Sequence, residues 1–328
     1  MEKIKFAILG PGSIARGRMI KPLSQNPDAE LYAVASRDID RAREFADEFG
    51  FTHAYGSYEQ MLLDPKVDVV YISTLNNSHY EHTKLCLEYN KHVICEKPFA
   101  INTLQAREML DLAKSKNLFV MEAMWSRFLP GTLKLHKLLK GGVIGDIQTI
   151  IVTLGIRNNL PRLLLPELGG GALLDLGVYT THFILGILGA DIVEIETCMT
   201  PIATNVDGQG TVILKYRNGV IAVMNFSIVA DYTNIAMIYG DRGRIEVPNF
   251  AEAEVIKVFR KGMIDPAIHY TPFESTGFEY QIHAAITAIR DKKIEPQKLP
   301  HSETINVMQI LDKIRRKWGL YYPAEKNI

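Results

Sequence analysis

Cysteine is scarce in this chain. Three occur in 328 residues, Cys86, Cys95 and Cys198; none forms a C-x-x-C pair, and an odd number cannot complete a disulfide framework. A reducing compartment is the expectation. Charge of one sign is not in excess either, since Lys+Arg and Asp+Glu are both 37, so no net charge draws the protein to nucleic acid or an anionic membrane. No apolar run reaches membrane-spanning length, the stretch from Phe183 to Leu188 being far too short. Met1 to Gly10 leads straight into a glycine turn, without the apolar segment and small-residue cleavage site of a signal peptide. Internal repeats, low-complexity segments and long Pro/Ser-rich linkers are missing as well. What these absences leave is a cytoplasmic globular protein whose partner is a small molecule, with neither nucleic acid nor membrane expected.

What is present is ordinary in amount: 47% hydrophobic and 23% charged residues, in a chain longer than one hydrophobic core sustains. Two domains are expected. In the first third, short β-branched runs alternate with helical spacing, the pattern of parallel strands joined by helical crossovers. Lys3 to Leu9, Leu31 to Ala35, Val67 to Ile72, His92 to Cys95 and Phe119 to Met121 read as strands. Ser13 to Leu23, Arg41 to Phe49, Ser78 to Glu88 and Leu104 to Ala113 read as the helices between them. Beyond about Glu122 the pattern changes, so the boundary falls between residues 1–122 and 123–328. A helix near Leu133 to Leu139 and a glycine-led helix after Gly169 precede strands at Glu194 to Met199, Gly210 to Tyr216, Val220 to Ile228 and Ile235 to Tyr239. These follow one another with little helix between, which predicts a mostly antiparallel sheet with a hairpin turn at Arg217-Asn218-Gly219. Helices at Glu279 to Arg290 and Glu303 to Lys317 close the chain. The fold class is therefore α/β, a doubly wound parallel sheet followed by an α+β domain on a large open sheet.

Gly10-Pro11-Gly12-Ser13-Ile14-Ala15 fits G-x-G-x-x-A directly after the first strand and at the start of a helix, the context that a dinucleotide turn requires. Gly10 permits the tight turn, Gly12 admits the pyrophosphate, Ala15 lets helix pack on strand, and the N-H groups that open the helix face the phosphates. The same glycines could also make a plain strand-to-helix turn. At the end of the second strand, where an NAD enzyme commonly carries an acid, the chain reads Ala35-Ser36-Arg37. A hydroxyl and a guanidinium suit a 2′-phosphate, so NADP is expected ahead of NAD. Alternatively Arg37 is a solvated strand-end charge and Asp38 caps the next helix.

Two further groups carry chemistry. Glu96-Lys97-Pro98 follows a buried strand at the carboxyl edge of the sheet, where open α/β folds bind ligands; alone it reads equally as a surface pair before a turn. On the glycine-led helix, Asp175, Tyr179 and His182 fall at spacings of four and three and can share a face. His182 is read as structural or orienting. No pair there makes a metal site, since one Asp and one His underligate zinc or iron.

With Met121-Glu122-Ala123-Met124-Trp125-Ser126-Arg127-Phe128 and Gly169 to Tyr179 added, the order and spacing of these motifs resemble the glucose-fructose oxidoreductase, inositol dehydrogenase and MocA-type family over essentially the whole chain. Within it the sequence is most similar to the trans-dihydrodiol and D-xylose dehydrogenase branch. The resemblance implies a Rossmann domain, a substrate-binding domain whose open sheet packs on a second subunit, and hence a homodimer or higher homo-oligomer. It implies hydride transfer between NADP(H), or NAD(H), and a sugar or diol, with Tyr179 as acid/base, Lys97 assisting and Asp175 at the acidic helix position. It further implies that Thr74, Asn76, Asn77, His79, Glu96, Trp125 and Arg127 line the cofactor cleft, with Ser13 and Ile14 at the turn, and that Arg157 reaches substrate. A non-catalytic dinucleotide- and sugar-binding regulator, or a reductase of another carbonyl compound, uses the same fold and remains the alternative.

Overall fold

The computed structural model describes residues 2–325, which divide into two compact units. The first runs to Trp125 and also takes in Glu274–Ile305. Its sheet has strands β1 (Ile4–Leu9), β2 (Ala29–Ala35), β3 (His53–Tyr55), β4 (Val69–Ile72), β5 (His92–Cys95) and β6 (Val120–Glu122), in the order β3-β2-β1-β4-β5-β6. Every pairing is parallel. That order reverses between β1 and β4, and such a switch point opens a ligand crevice at the carboxyl ends of the strands. Phe6, Ile8, Val69 to Ile72, Val93 and Ile94 are wholly buried, as strands covered on both faces must be. The crossovers are α1 (Ile20–Gln25), which continues a π-helical turn at Ala15–Met19, then α2 (Ile39–Phe49), α3 (Tyr58–Leu62), α4 (His79–Glu88) and α5 (Thr103–Ser115). The expected strands and helices are all there; β3 and α3 are additions, too short to show a period.

The second unit comprises Ser126–Phe273 and the chain from Asn306. It begins with α6 (Pro130–Lys140), β7 (Ile147–Gly155) and α7 (Pro161–Leu164), then a π-helical turn at Leu173–Gly177 that leads into α8 (Val178–Leu188). The strands β8 (Ile192–Pro201), β9 (Asp207–Tyr216), β10 (Ile221–Ser227), β11 (Ile235–Gly240), β12 (Gly243–Pro248), β13 (Val255–Arg260) and β14 (Ala267–Tyr270) complete an eight-stranded sheet ordered β14-β13-β12-β11-β7-β10-β9-β8. All neighbours are antiparallel except β7 and β10. Arg217 to Gly219 make the β9–β10 hairpin turn, as the sequence suggests. Along the strands one face is buried, with Ile150, Val152, Val212, Leu214, Met224 and Phe226, and α8 lies on it: Gly177 packs against Phe226 and the Thr180 hydroxyl meets Met224 Sδ at 3.2 Å. The other face carries a row in register, Ile213, Val223, Ile151 and Met237, whose side chains are partly exposed.

The chain then returns with α9 (Glu279–Arg290) and α10 (His301–Lys317). A single cut at 122/123 gives all of this to the second domain; the contacts give residues 274–305 to the first. Arg290 pairs with Asp28 at 2.8 Å, Arg18 donates to the Thr276 carbonyl at 2.9 Å, and the Trp125 and Phe278 rings stack at 5.5 Å. Helical periodicity locates such an element without saying what it packs on. Likewise, the helical stretch Pro166–Leu188 is long and apolar enough to cross a membrane by length and composition, beyond the short run visible as Phe183 to Leu188; 72% of its apolar window is buried, as in a core helix.

In the second unit Arg315 is 2% exposed and donates to Asp312 Oδ1 at 2.8 Å and Glu325 Oε2 at 2.6 Å, while Glu325 also accepts from the Tyr322 N-H at 2.8 Å. Removing one member of a buried ionic cluster leaves its partners uncompensated, at a cost of about 3–5 kcal/mol. Arg315→Ala is therefore expected to lower the urea midpoint for unfolding of the second unit sharply, and an unchanged midpoint would contradict this.

Candidate active site

Each unit contributes its own set of candidate residues. In the first, β1 ends at Leu9 and the glycine turn follows against the loop after β4. Gly10 has φ +78°, and a Cβ there would lie 2.6 Å from Thr74 Cγ2; at Gly12 a Cβ would lie 2.6 Å from the Ser73 carbonyl oxygen. The neighbouring loop by itself thus requires glycine at both positions. Ser73 Oγ donates to the Gly10 carbonyl at 2.6 Å, and Ala15 is buried under the helix. Ser13 and Ile14 open that helix, where backbone N-H groups have no partner within the helix itself.

At the end of β2, Ser36 is buried and its Oγ accepts from the Asp38 N-H at 3.3 Å. Asp38 caps α2, its Oδ1 accepting from the N-H groups of Asp40 at 3.0 Å and Arg41 at 3.4 Å. Arg37 is exposed and interacts with the Tyr58 hydroxyl; burial pushes that phenol up, against the pull of Arg37 and Arg41. Arg41 donates to the Pro11 carbonyl at 2.9 Å. Behind Tyr58, the His82 ring stands edge-on at 4.9 Å, with Nδ1 3.0 Å from Thr74 Oγ1, and burial pushes it down to about 4. Nothing in the sequence placed Arg41, Tyr58 and His82 beside Arg37 and the glycine turn, apart from one signal for Arg41, its place one helical turn after Arg37.

The Lys97 loop is fastened from below. Glu96 is buried, accepting from the Tyr71 hydroxyl and, at 3.2 Å, from the Lys97 N-H; burial pushes its carboxyl up to about 7. His79 is 1% exposed, with Nδ1 2.8 Å from the Pro98 carbonyl and Nε2 3.2 Å from the Thr74 carbonyl, and burial lowers its pKa. Glu122 accepts from Phe99 N-H at 3.2 Å and from the Thr304 hydroxyl at 3.2 Å. Lys97 itself is half-buried, as are Thr74, Asn76 and Asn77. His79 and Glu96, expected at a cofactor cleft, are both buried, and their hydrogen bonds run to the backbone of residues 74, 97 and 98. Trp125 is likewise buried, stacked on Phe278 with the Arg18 guanidinium 5.3 Å from its ring centre, so it is core in this unit.

In the second unit the glycine-led helix is held just as firmly. A Cβ on Gly171, at φ +110°, would fall 2.1 Å from Asp207 Oδ1. Asp207 is fully buried and accepts from Leu173 N-H at 2.6 Å, while the Tyr322 hydroxyl donates to the Gly170 carbonyl at 2.7 Å. Burial pushes the Asp207 carboxyl up to about 7. Tyr179 and His182 line one small cavity with Arg127, Thr132 and Phe250. Asp175 does not share it; it pairs with Arg162 at 3.0 Å. The single-face reading assumed an α-helix, whereas Asp175 stands in the π-helical turn, whose wider winding alters the angle between residues four apart. Arg127 is buried, its guanidinium close against Gly186, and Arg157 is exposed in the loop after β7, its backbone N-H bound to Asp231 at 2.9 Å. Among the described residues no group of three or more His, Cys, Asp or Glu is placed to hold a metal.

Residues 4–124 match an oxidoreductase family with an NAD-binding Rossmann fold, and residues 132–246 match the GFO/IDH/MocA C-terminal domain. The chain belongs to the GFO/IDH/MocA oxidoreductase family. It is similar to trans-1,2-dihydrobenzene-1,2-diol dehydrogenase of Mus musculus, 34% identical over 332 residues and 99% of each chain. It is also similar to the solved structure of a 3-ketoreductase from Actinomadura kijaniata in complex with NADP and TDP-benzene, with a TM-score of 0.88, 27% identity and 96% and 98% of the two chains covered. An aldose-aldose oxidoreductase from Caulobacter crescentus shares the fold at 23% identity, with a TM-score of 0.88 over 97% and 99% of the chains.

A raised carboxyl pKa has a sign. Asp207 takes up its proton more readily folded than unfolded, so between about pH 4 and pH 7 this residue makes stability fall as pH rises. Glu96 acts in the same sense. Asp207→Asn should flatten the pH dependence of the unfolding midpoint over that window without abolishing it; parallel curves for variant and parent would refute the assignment.

Proposed function

We propose that this oxidoreductase uses NADP(H) in preference to NAD(H), and exchanges hydride with a secondary alcohol or carbonyl of a sugar or trans-dihydrodiol. The observation that carries the substrate class is the near full-length similarity to a trans-dihydrodiol dehydrogenase, joined to a chain that retains both Lys97 and Tyr179. For the cofactor, the glycine turn stands between β1 and the start of a helix, and Gly10, Gly12, Ser13, Ile14 and Ala15 would hold its pyrophosphate. Arg37 and Ser36, with Arg41 and the Tyr58 hydroxyl, would hold a 2′-phosphate, while Asp38 is committed to its helix cap.

When bound, the nicotinamide supplies or accepts the hydride. Tyr179 takes the proton of the substrate hydroxyl in oxidation and returns it in reduction. A free phenol has a pKa of about 10, so it needs help near neutrality, and the Lys97 ammonium favours its anion. Asp175 acts through its ion pair with Arg162, steadying the turn that precedes Tyr179. Arg127 and His182 bound the cavity that Tyr179 lines, and Arg157 meets the outer part of a substrate. A homodimer belongs to the same reading, supported by the partly exposed row Ile213, Val223, Ile151 and Met237, as does a cytoplasmic setting, supported by the exposed thiol of Cys198.

The test is reduced-nicotinamide absorbance with NADP and NAD in turn, across aldoses, inositols and trans-diols. Acid-base catalysis of this kind contributes about 10²–10⁴-fold. Tyr179→Phe should lose turnover by that factor while dinucleotide fluorescence still reports binding; near-normal turnover overturns the assignment. Arg37→Ala should raise KM for NADP about tenfold or more and leave KM for NAD nearly unchanged, and equal effects on both would point to NAD.

A further inference from the structure

The second unit carries a concentration of positive charge that its sequence context does not balance. Lys134 and Lys137 stand three residues apart on α6, Arg242 lies in the turn between β11 and β12, and Arg260 and Lys261 lie at the end of β13. All five line one cleft of about 730 Å³, with Leu138 and Val143 as apolar lining and Gly141 and Gly142 at its rim. Among the described residues Lys134, Lys137, Arg260 and Lys261 make no ion pair or side-chain hydrogen bond. Arg242 pairs with Asp241 at 3.9 Å and donates to the Gly142 carbonyl at 3.5 Å, so among the described residues one acid is paired with this group of five cations.

Four other cations of the same unit sit in ion pairs, Arg162 with Asp175, Lys215 with Glu194, Arg217 with Asp191 and Arg244 with Glu246, all within 3.3 Å. The partial negative charge at the end of α6 accounts for a lysine near its last turn. It does not account for three more cations from two strand ends. Like charges gathered in a cleft repel one another and raise the local concentration of anions. Guanidinium groups from separate strand ends offer forked donors, the geometry that phosphate oxygens accept. The volume falls in the range of small-molecule sites.

We propose that this cleft binds a small anion bearing at least two phosphate groups, at a site independent of the dinucleotide turn in the first unit. Lys134, Arg242 and Arg260 make the phosphate contacts, and Leu138 and Val143 take an uncharged part of the ligand.

The experiment is calorimetric titration of the full chain with inorganic tripolyphosphate, pyrophosphate and orthophosphate at one fixed ionic strength. Tripolyphosphate is expected to bind at least about tenfold more tightly than orthophosphate. Arg260→Glu should weaken it about tenfold, and Lys134→Glu with Arg260→Glu about a hundredfold. The milder pair Lys134→Gln with Arg260→Gln must weaken it in the same direction, which keeps the test decisive should the charge reversals unfold. Arg37→Glu with Arg41→Glu should leave it unchanged. Loss only in that last variant would place the anion at the dinucleotide turn and overturn the proposal. So would parent-like affinity in both cleft double variants, or equal affinities for the three anions.

Discussion

A buried hydrogen-bonding group has to find its partner inside the protein, and the candidate residues of each unit are held by that demand. In the first unit three buried titratable side chains direct hydrogen bonds at the backbone of two loops: Glu96 at residue 97, His79 at residues 74 and 98, Glu122 at residue 99. In the second, Asp207 and Tyr322 do the same for residues 173 and 170. Loops that would otherwise sample many shapes are thereby fixed, and Lys97 and Tyr179 follow backbone whose position is set by buried groups. Precision of the exposed residues is inherited from the buried ones.

This explains what could be read from the amino-acid sequence. The strand His92–Cys95 and the helix Glu279–Arg290 have the bounds that periodicity gave them, because each is bordered by a change in composition. β7 went unread since Ile150, Ile151 and Val152 break its alternation, a consequence of apolar side chains on both faces of a central strand. The glycine turn was legible because its motif is local. The supports of the Lys97 loop and of the glycine-led helix were not: the residue that holds Phe99 lies in β6, and the residue that holds Leu173 lies in β9. Asp175 was assigned by a spacing that a π-helical turn alters. Sequence spacing reports which side chains share a face only while the helix keeps its period.

An even balance of charge over the whole chain says little about its distribution. Arg37 and Arg41 gather at one end of the first sheet, and Asp38, the acid between them, is drawn into a helix cap. In the second unit Lys215, Arg217 and Arg244 each have an acid beside them, whereas five cations share the cleft beside α6 with one paired acid, Asp241. Placement of carboxylates, more than their number, decides where an anion can settle.

The return of residues 274–305 to the first unit bears on how the protein is made. The outer edge of β6 is covered by that segment: Val120 donates to the Ile294 carbonyl at 3.0 Å and its own carbonyl meets His301 Nε2 at 2.8 Å. On the ribosome these partners emerge after all of Ser126–Phe273, so the nascent parallel sheet waits with an open, pairable edge while the second unit is synthesised. A chain that stops before Glu274 is consequently no smaller coenzyme-binding module; it is an unfinished sheet, disposed to pair with its neighbours and to be cleared by the cell's quality control.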